Sequence, residues 1–67
     1  MYEYLSSLTQ LDISHMNEKE LFNAYDDEMS YVDSMFPGYE EIEDTGVMLA
    51  DEIEKRGLTG KFWEDRS

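Results

Sequence analysis

The chain contains no cysteine. That excludes a disulfide framework and a thiolate zinc site, and leaves packing or a partner to stabilise a short polypeptide. No apolar run approaches the ~18 residues of a membrane span. The first residues, Met1-Tyr2-Glu3-Tyr4, lack the basic and apolar segments of a secretory leader, so a cytoplasmic protein is expected. Chemistry-bearing groups are scarce as well. His15 is the single histidine, and it stands just before a helix-start signal, where it reads as a surface residue and not as a general base. Neither a Gly-rich phosphate loop nor a G-x-S-x-G elbow occurs. At 67 residues there is room for one small domain, not for a cofactor domain or a deep cleft in which one carboxyl could be tuned against another. Neither enzymatic activity nor a bound cofactor is expected.

The most telling shortage is of positive charge. Between Glu20 and Glu54 the chain carries twelve Asp and Glu side chains and no Lys or Arg. Soluble helices ordinarily intersperse the two signs and gain a few tenths of a kcal/mol per i,i+4 pair, whereas a one-sign run accepts repulsion instead. With a net charge of −12, the chain should repel nucleic acid and anionic membranes and attract a basic protein surface. Such a charge also favours disorder. Five tyrosines, three phenylalanines, one tryptophan and five methionines spread through the sequence argue for an ordered core. Folding on binding remains an alternative.

What is present reads as all-α, a small helical hairpin or three-helix domain. Asn17 and Glu20 form a capping box, and Met16 with Leu21 stands at the positions of a hydrophobic staple. Phe22, Tyr25, Met29, Val32 and Phe36 follow in steps of three and four, with Leu21 and Met35 widening the stripe, so a helix is expected over about 17–36. Pro37-Gly38 suits the centre of a type II turn. A second helix is expected over about 40–56, with Ile42, Gly46, Leu49 and Ile53 on one face and Gly46 permitting close approach to the first helix. Its end is marked by Lys55 and Arg56, which complement the dipole, and by Gly57 and Leu58 in a Schellman pattern. Asp44-Thr45-Gly46 could instead cap a shorter helix. Tyr2, Leu5, Leu8 and Leu11 suggest a short helix over 2–10 lying across the hairpin, and residues 58–67 read as a tail tied down by Phe62 and Trp63.

On this arrangement the acids Asp26, Asp27, Glu28, Asp33, Glu40, Glu41, Glu43, Asp44, Asp51, Glu52 and Glu54 fall mainly off the apolar stripes and should point outward, with Tyr31 and Tyr39 among them as flat, hydrogen-bonding contacts. These thirteen residues are the candidate partner-binding set. Laid along two helices of about 25 to 28 Å, the acids give roughly one charge per 2 to 2.5 Å, against one per ~1.7 Å of duplex DNA. The competing reading is a solvated surface whose charge only maintains solubility, with both tyrosines in packing roles. A metal site is not expected, because no segment has the alternating oxygens, Gly and twelfth-position Glu of a calcium loop. Two helices cannot bury all of Phe22, Tyr25, Met29, Val32, Phe36, Leu49, Ile53 and Trp63, which leaves part of the stripe for the target or for a second subunit in a homodimer.

In size, charge, lack of cysteine and the acidic run Asp26 to Glu54, the chain resembles the small acidic phage proteins that disarm host defences, including DNA-mimicking anti-restriction and anti-CRISPR proteins. The resemblance implies an inhibitor, acting in the host cytoplasm, that fills the nucleic-acid groove of a defence or DNA-processing enzyme. Its partner would then be a basic nucleic-acid-binding protein, with no direct contact to nucleic acid or membrane. The alternative is a helical protein-interaction module, antitoxin-like or a regulatory adaptor, that binds through its apolar stripe.

Overall fold

Residues 4–66 are described by the computed structural model, and all of the regular structure among them is helical: α1 Tyr4–Ser7, α2 Gln10–Ser14, α3 Glu18–Asp33, α4 Tyr39–Lys55 and α5 Thr59–Arg66. The all-α class holds, with the hairpin α3–α4 as its frame. α4 is the hub, contacting each of the other four helices.

Each boundary of the hairpin has a local cause. At the start of α3 the Asn17 side chain accepts from the Glu20 amide at 2.8 Å while the Glu20 carboxylate accepts from the Asn17 amide at 3.0 Å, satisfying two donors that a helix start otherwise leaves open. Between the helices, the Tyr39 amide donates to the Phe36 carbonyl at 3.1 Å across Pro37-Gly38. Gly38 has φ 86° and ψ 9° there, the third position of a type II turn, which favours glycine. Met35 takes φ 53° just beyond the α3 cap, a left-handed conformation that disfavours a side chain by roughly 1–2 kcal/mol. At the end of α4, the Leu58 amide reaches the Ile53 carbonyl and the Gly57 amide the Glu54 carbonyl, both at 2.9 Å, with Gly57 at φ 71°. This is the Schellman closure. The chain runs through Asp44-Thr45-Gly46 without a break, so the shorter α4 does not occur.

Two parts of the chain differ from the sequence expectation. The helix placed over 2–10 is instead split: α1 stops at Ser7 and α2 begins after Thr9, whose hydroxyl accepts from the Asp12 amide at 3.2 Å while Asp12 accepts from the Thr9 amide at 3.1 Å. A second capping box thus outweighs continuity of the leucine spacing; residues 2 and 3 of that expected helix lie outside the described residues. The presumed tail over 58–67 is helical through Arg66, and it supplies the centre of the core. Phe62 is fully buried. Its ring lies 5.2 Å from Phe22 and 5.0 Å from both Tyr25 and Trp63, and the Phe22 and Trp63 contacts are edge-on.

The core around Phe62 joins Ile13, Leu21, Phe22, Ala24, Leu49 and Ile53, with Met16, Met29, Met48 and Leu58 packed against it. The α3 stripe is therefore rotated from the expected one. Leu21, Phe22, Ala24 and Glu28 are buried, Tyr25, Met29 and Val32 are half-buried, and Phe36 lies exposed beyond the helix end. Two polar contacts pin the short helices to α4. The Thr45 hydroxyl, in the core side of α4, donates to the Leu5 carbonyl at 2.9 Å. Arg56 donates to the carbonyls of Met16 at 2.7 Å, Ser14 at 3.1 Å and Ile13 at 3.3 Å, closing the open end of α2. From sequence Arg56 was expected to serve the dipole of α4; its guanidinium serves a different helix.

Candidate partner-binding surface

α4 sorts its residues by the helical repeat. Ile42, Thr45, Gly46, Leu49 and Ile53 face the core. At about 100° per residue, Glu40, Asp44 and Asp51 lie on the opposite side, with Glu41 on one flank and Glu43 and Glu54 on the other. All six of these carboxylates are exposed, and between Glu40 and Glu54 no cation interrupts them. The rigidity of the ridge comes from the buried face behind it, in which Leu49 is fully inaccessible.

The rest of the expected acidic set is distributed differently. Asp33 is exposed at the end of α3, and Asp26 is half-buried. Asp27 is half-buried and accepts a hydrogen bond from the Tyr4 hydroxyl, tying α1 to α3. Glu52 is half-buried and paired with Arg56 at 2.7 Å, one helical turn away. Glu28 does not point outward at all: it is 7% exposed, with its carboxyl group lying over Gly46 of α4. A Cβ at position 46 would come within 2.3 Å of that carboxyl, so the close approach anticipated at Gly46 accommodates the Glu28 side chain. Burial, and then the nearby Glu43 charge, push the Glu28 carboxyl above its ordinary value. Burial, and then Glu28, likewise push the Tyr25 hydroxyl up.

The two tyrosines are placed differently. Tyr31 donates from its hydroxyl to the Pro37 carbonyl, and its ring meets Phe36 edge-on at 5.3 Å, so it clamps the turn. Tyr39 is half-buried at the first position of α4.

Asp26, Asp27, Glu28 and Glu52 are thus withdrawn from the exposed array. Six exposed carboxylates on the seventeen residues of α4 average one per ~4 Å of its ~25 Å length, sparser than the ~1.7 Å of a duplex, and they fall in two groups, Glu40 to Asp44 and Asp51 with Glu54, about 10 Å apart. The mean charge density of the ridge is near that of one DNA strand, ~3.4 Å per charge, with uneven spacing. Among the described residues no group of three or more His, Asp or Glu side chains converges as a metal site would require.

The structure also reveals a feature that the sequence reading missed. Beside the ridge, α4 turns Glu43, Val47, Ala50 and Glu54 toward a shallow trough shared with α3 and α5. One end, of about 280 Å³, is lined by Tyr25, Gly46, Val47 and Ala50 with Glu28 and Glu43. The other, of about 450 Å³, continues from Tyr25 and Ala50 to Ile53, Glu54, Thr59, Phe62 and Trp63. Val47 is 62% exposed and Trp63 51%. The available signal was Val47, an apolar residue off the Ile42-Leu49-Ile53 stripe and among acids; without α5 in place, Trp63 could not be put on the same side of α4.

No protein-family model matches the chain, and no curated protein or solved structure is detectably similar to it. No helix among the described residues is long and apolar enough to cross a membrane.

Proposed function

We propose that this chain is an inhibitor that occupies the nucleic-acid groove of a basic host defence or DNA-processing enzyme, with the α4 carboxylates standing in for the phosphates of one strand. One observation carries the reading: Glu40, Glu41, Glu43, Asp44, Asp51 and Glu54 are all exposed along one packed helix, with no cation among them. Lys and Arg side chains that hold a phosphate track would meet two carboxylate groups, Glu40 to Asp44 and Asp51 with Glu54, about 10 Å apart along the helix. The field would steer association, and the bound inhibitor would exclude the substrate. The site of action is the host cytoplasm.

The reading is tested on target captured from host lysate by the immobilised protein. Duplex or single-stranded DNA should displace that target, and affinity should fall steeply with added salt. Changing Glu40, Glu41 and Glu43 to Gln and Asp44 to Asn together should weaken binding about tenfold or more. Each single change should cost no more than about fivefold, because an exposed ion pair is worth roughly 0 to 1 kcal/mol. A ternary complex of target, DNA and this protein, or full affinity in the quadruple variant with its helix signal intact, would remove mimicry as the explanation.

A further inference from the structure

Glu43, Val47, Ala50 and Glu54 recur at steps of four, three and four, so the two apolar residues are bracketed on one strip of α4 by two carboxylates. The strip faces Tyr25 of α3 and Trp63 of α5 across the trough. From Glu43 to Glu54 the trough follows α4 for about 16 Å at 1.5 Å per residue, the length of three helical turns. Its floor is mainly apolar and aromatic, interrupted by the Glu28 carboxyl over Gly46 and by Thr59; both ends are acidic, and among the described residues no Lys or Arg lines it. We infer that this trough is the docking site for a basic amphipathic helix of the partner, which seats aliphatic side chains on Val47, Ala50 and Trp63 and places Lys or Arg against Glu43 and Glu54.

Charge complementarity selects that occupant. An acidic or neutral helix would leave the end carboxylates unanswered, and a second copy of this chain would bring like charge, at a net −12 per molecule, against itself. An apolar anchor also supplies what an acidic ridge lacks. Exposed ion pairs set the rate of encounter and fade with salt, whereas aliphatic side chains pressed on an exposed tryptophan slow dissociation. An arginine at this edge gains further from the face of the Trp63 ring. The inference rests on the reading of a basic partner, not on the acids replacing phosphates.

Trp63 is the sole tryptophan, so its emission reports occupancy of the trough. The probe is a synthetic fourteen-residue helix with leucine on one face and lysine on the other; the control keeps every lysine and replaces each leucine with glutamine. The leucine peptide should bind saturably, shift Trp63 emission to shorter wavelength, and exceed the control at least tenfold in affinity. Val47→Gln with Ala50→Gln should abolish that preference while leaving circular dichroism unchanged. Val47→Glu alone, at an exposed position, should reduce it in the same direction if the double variant folds poorly. Equal affinity for the two peptides, or a preference that survives both variants, overturns the site. So does a dimer in sedimentation that Val47→Glu dissociates, because the trough would then hold a second copy. Neutralising Glu40, Glu41 and Asp44, which lie off the trough, should leave the leucine preference intact. If that preference persists while DNA fails to displace captured target, mimicry falls and the docking site stands.

Discussion

Two side chains concentrate the energetic consequences of this fold, and they are opposite in kind. Arg56 is a half-buried cation with its partners in place: three carbonyls at the end of α2 and the Glu52 carboxylate. Arg56→Ala would leave those carbonyls open and Glu52 unpaired, and should cost about 2 to 3 kcal/mol in denaturant unfolding. Arg56→Lys should recover little of it, since an ammonium cannot fork toward several acceptors at fixed geometry. Glu28 is the reverse, a buried carboxyl beside a like charge. Its value in the folded state lies above the ordinary 4.5, through burial first and Glu43 second. The folded state therefore binds the proton more tightly than the unfolded chain does. The resulting stabilisation is fully present below about 4.5 and is lost as pH rises through the raised value. Glu28→Gln should raise the neutral-pH melting temperature and flatten its rise on acidification. If wild type and variant show parallel melting profiles between pH 7 and 4.5, Glu28 does not carry this linkage.

Among the elements, α5 has the largest effect for its length. Eight residues close the core because Phe62 sits among Phe22, Tyr25 and Trp63 with no exposure of its own. Phe62→Ala removes about 3 to 5 kcal/mol from a buried aromatic site. A domain of this length holds roughly 3 to 10 kcal/mol in total, so the variant should be largely unfolded at 37 °C by circular dichroism. Trp63→Ala, at the exposed edge, should stay folded and lose only the trough. The boundaries of α3 and α4 were legible because each is set by groups within a few residues: Asn17 with Glu20, Pro37 with Gly38, Gly57 with Leu58. The break at Thr9 was equally local, as a Thr-x-x-Asp pattern, and was masked by the leucine spacing across it. The α5 helix was not legible. Its residues show only weak periodicity, and what makes them helical is the pocket that α3 and α4 prepare for Phe62.

At the scale of the whole molecule, charge opposes compaction. With 17 acids against 5 bases, the described residues still fold to a radius of gyration of 11.3 Å, near the ~10.9 Å expected for a compact chain of this size. With only five Lys and Arg in the chain, ion pairs such as Arg56 with Glu52 and Lys61 with Glu18 at 2.9 Å offset little of that excess. Salt should therefore stabilise the fold. Screening relieves repulsion between carboxylates more than it weakens those pairs, so raising sodium chloride from 0.02 to 0.5 M should lift the melting temperature by about 4 °C or more, equivalent to about 1 kcal/mol. A decrease would mean that the pairs, and not the repulsion, dominate the electrostatics.

The sequence by itself determined the helical class, the hairpin and its turn, and the cation-free acidic run from Glu40 to Glu54, because these depend on caps, periodicity and composition within one or two turns of chain. Tertiary structure alone decided which acids are free. Glu28 and Asp33 differ by five positions on one helix, yet one lies beneath α4 over Gly46 and the other in solvent, since the rotation of α3 is set by how Leu21, Phe22 and Ala24 fit against α4 and Phe62. The same packing sends Arg56 across to α2 and sets Trp63 with Ala50 on one trough. Those neighbours come from different helices, and no spacing along the chain encodes a distance between them.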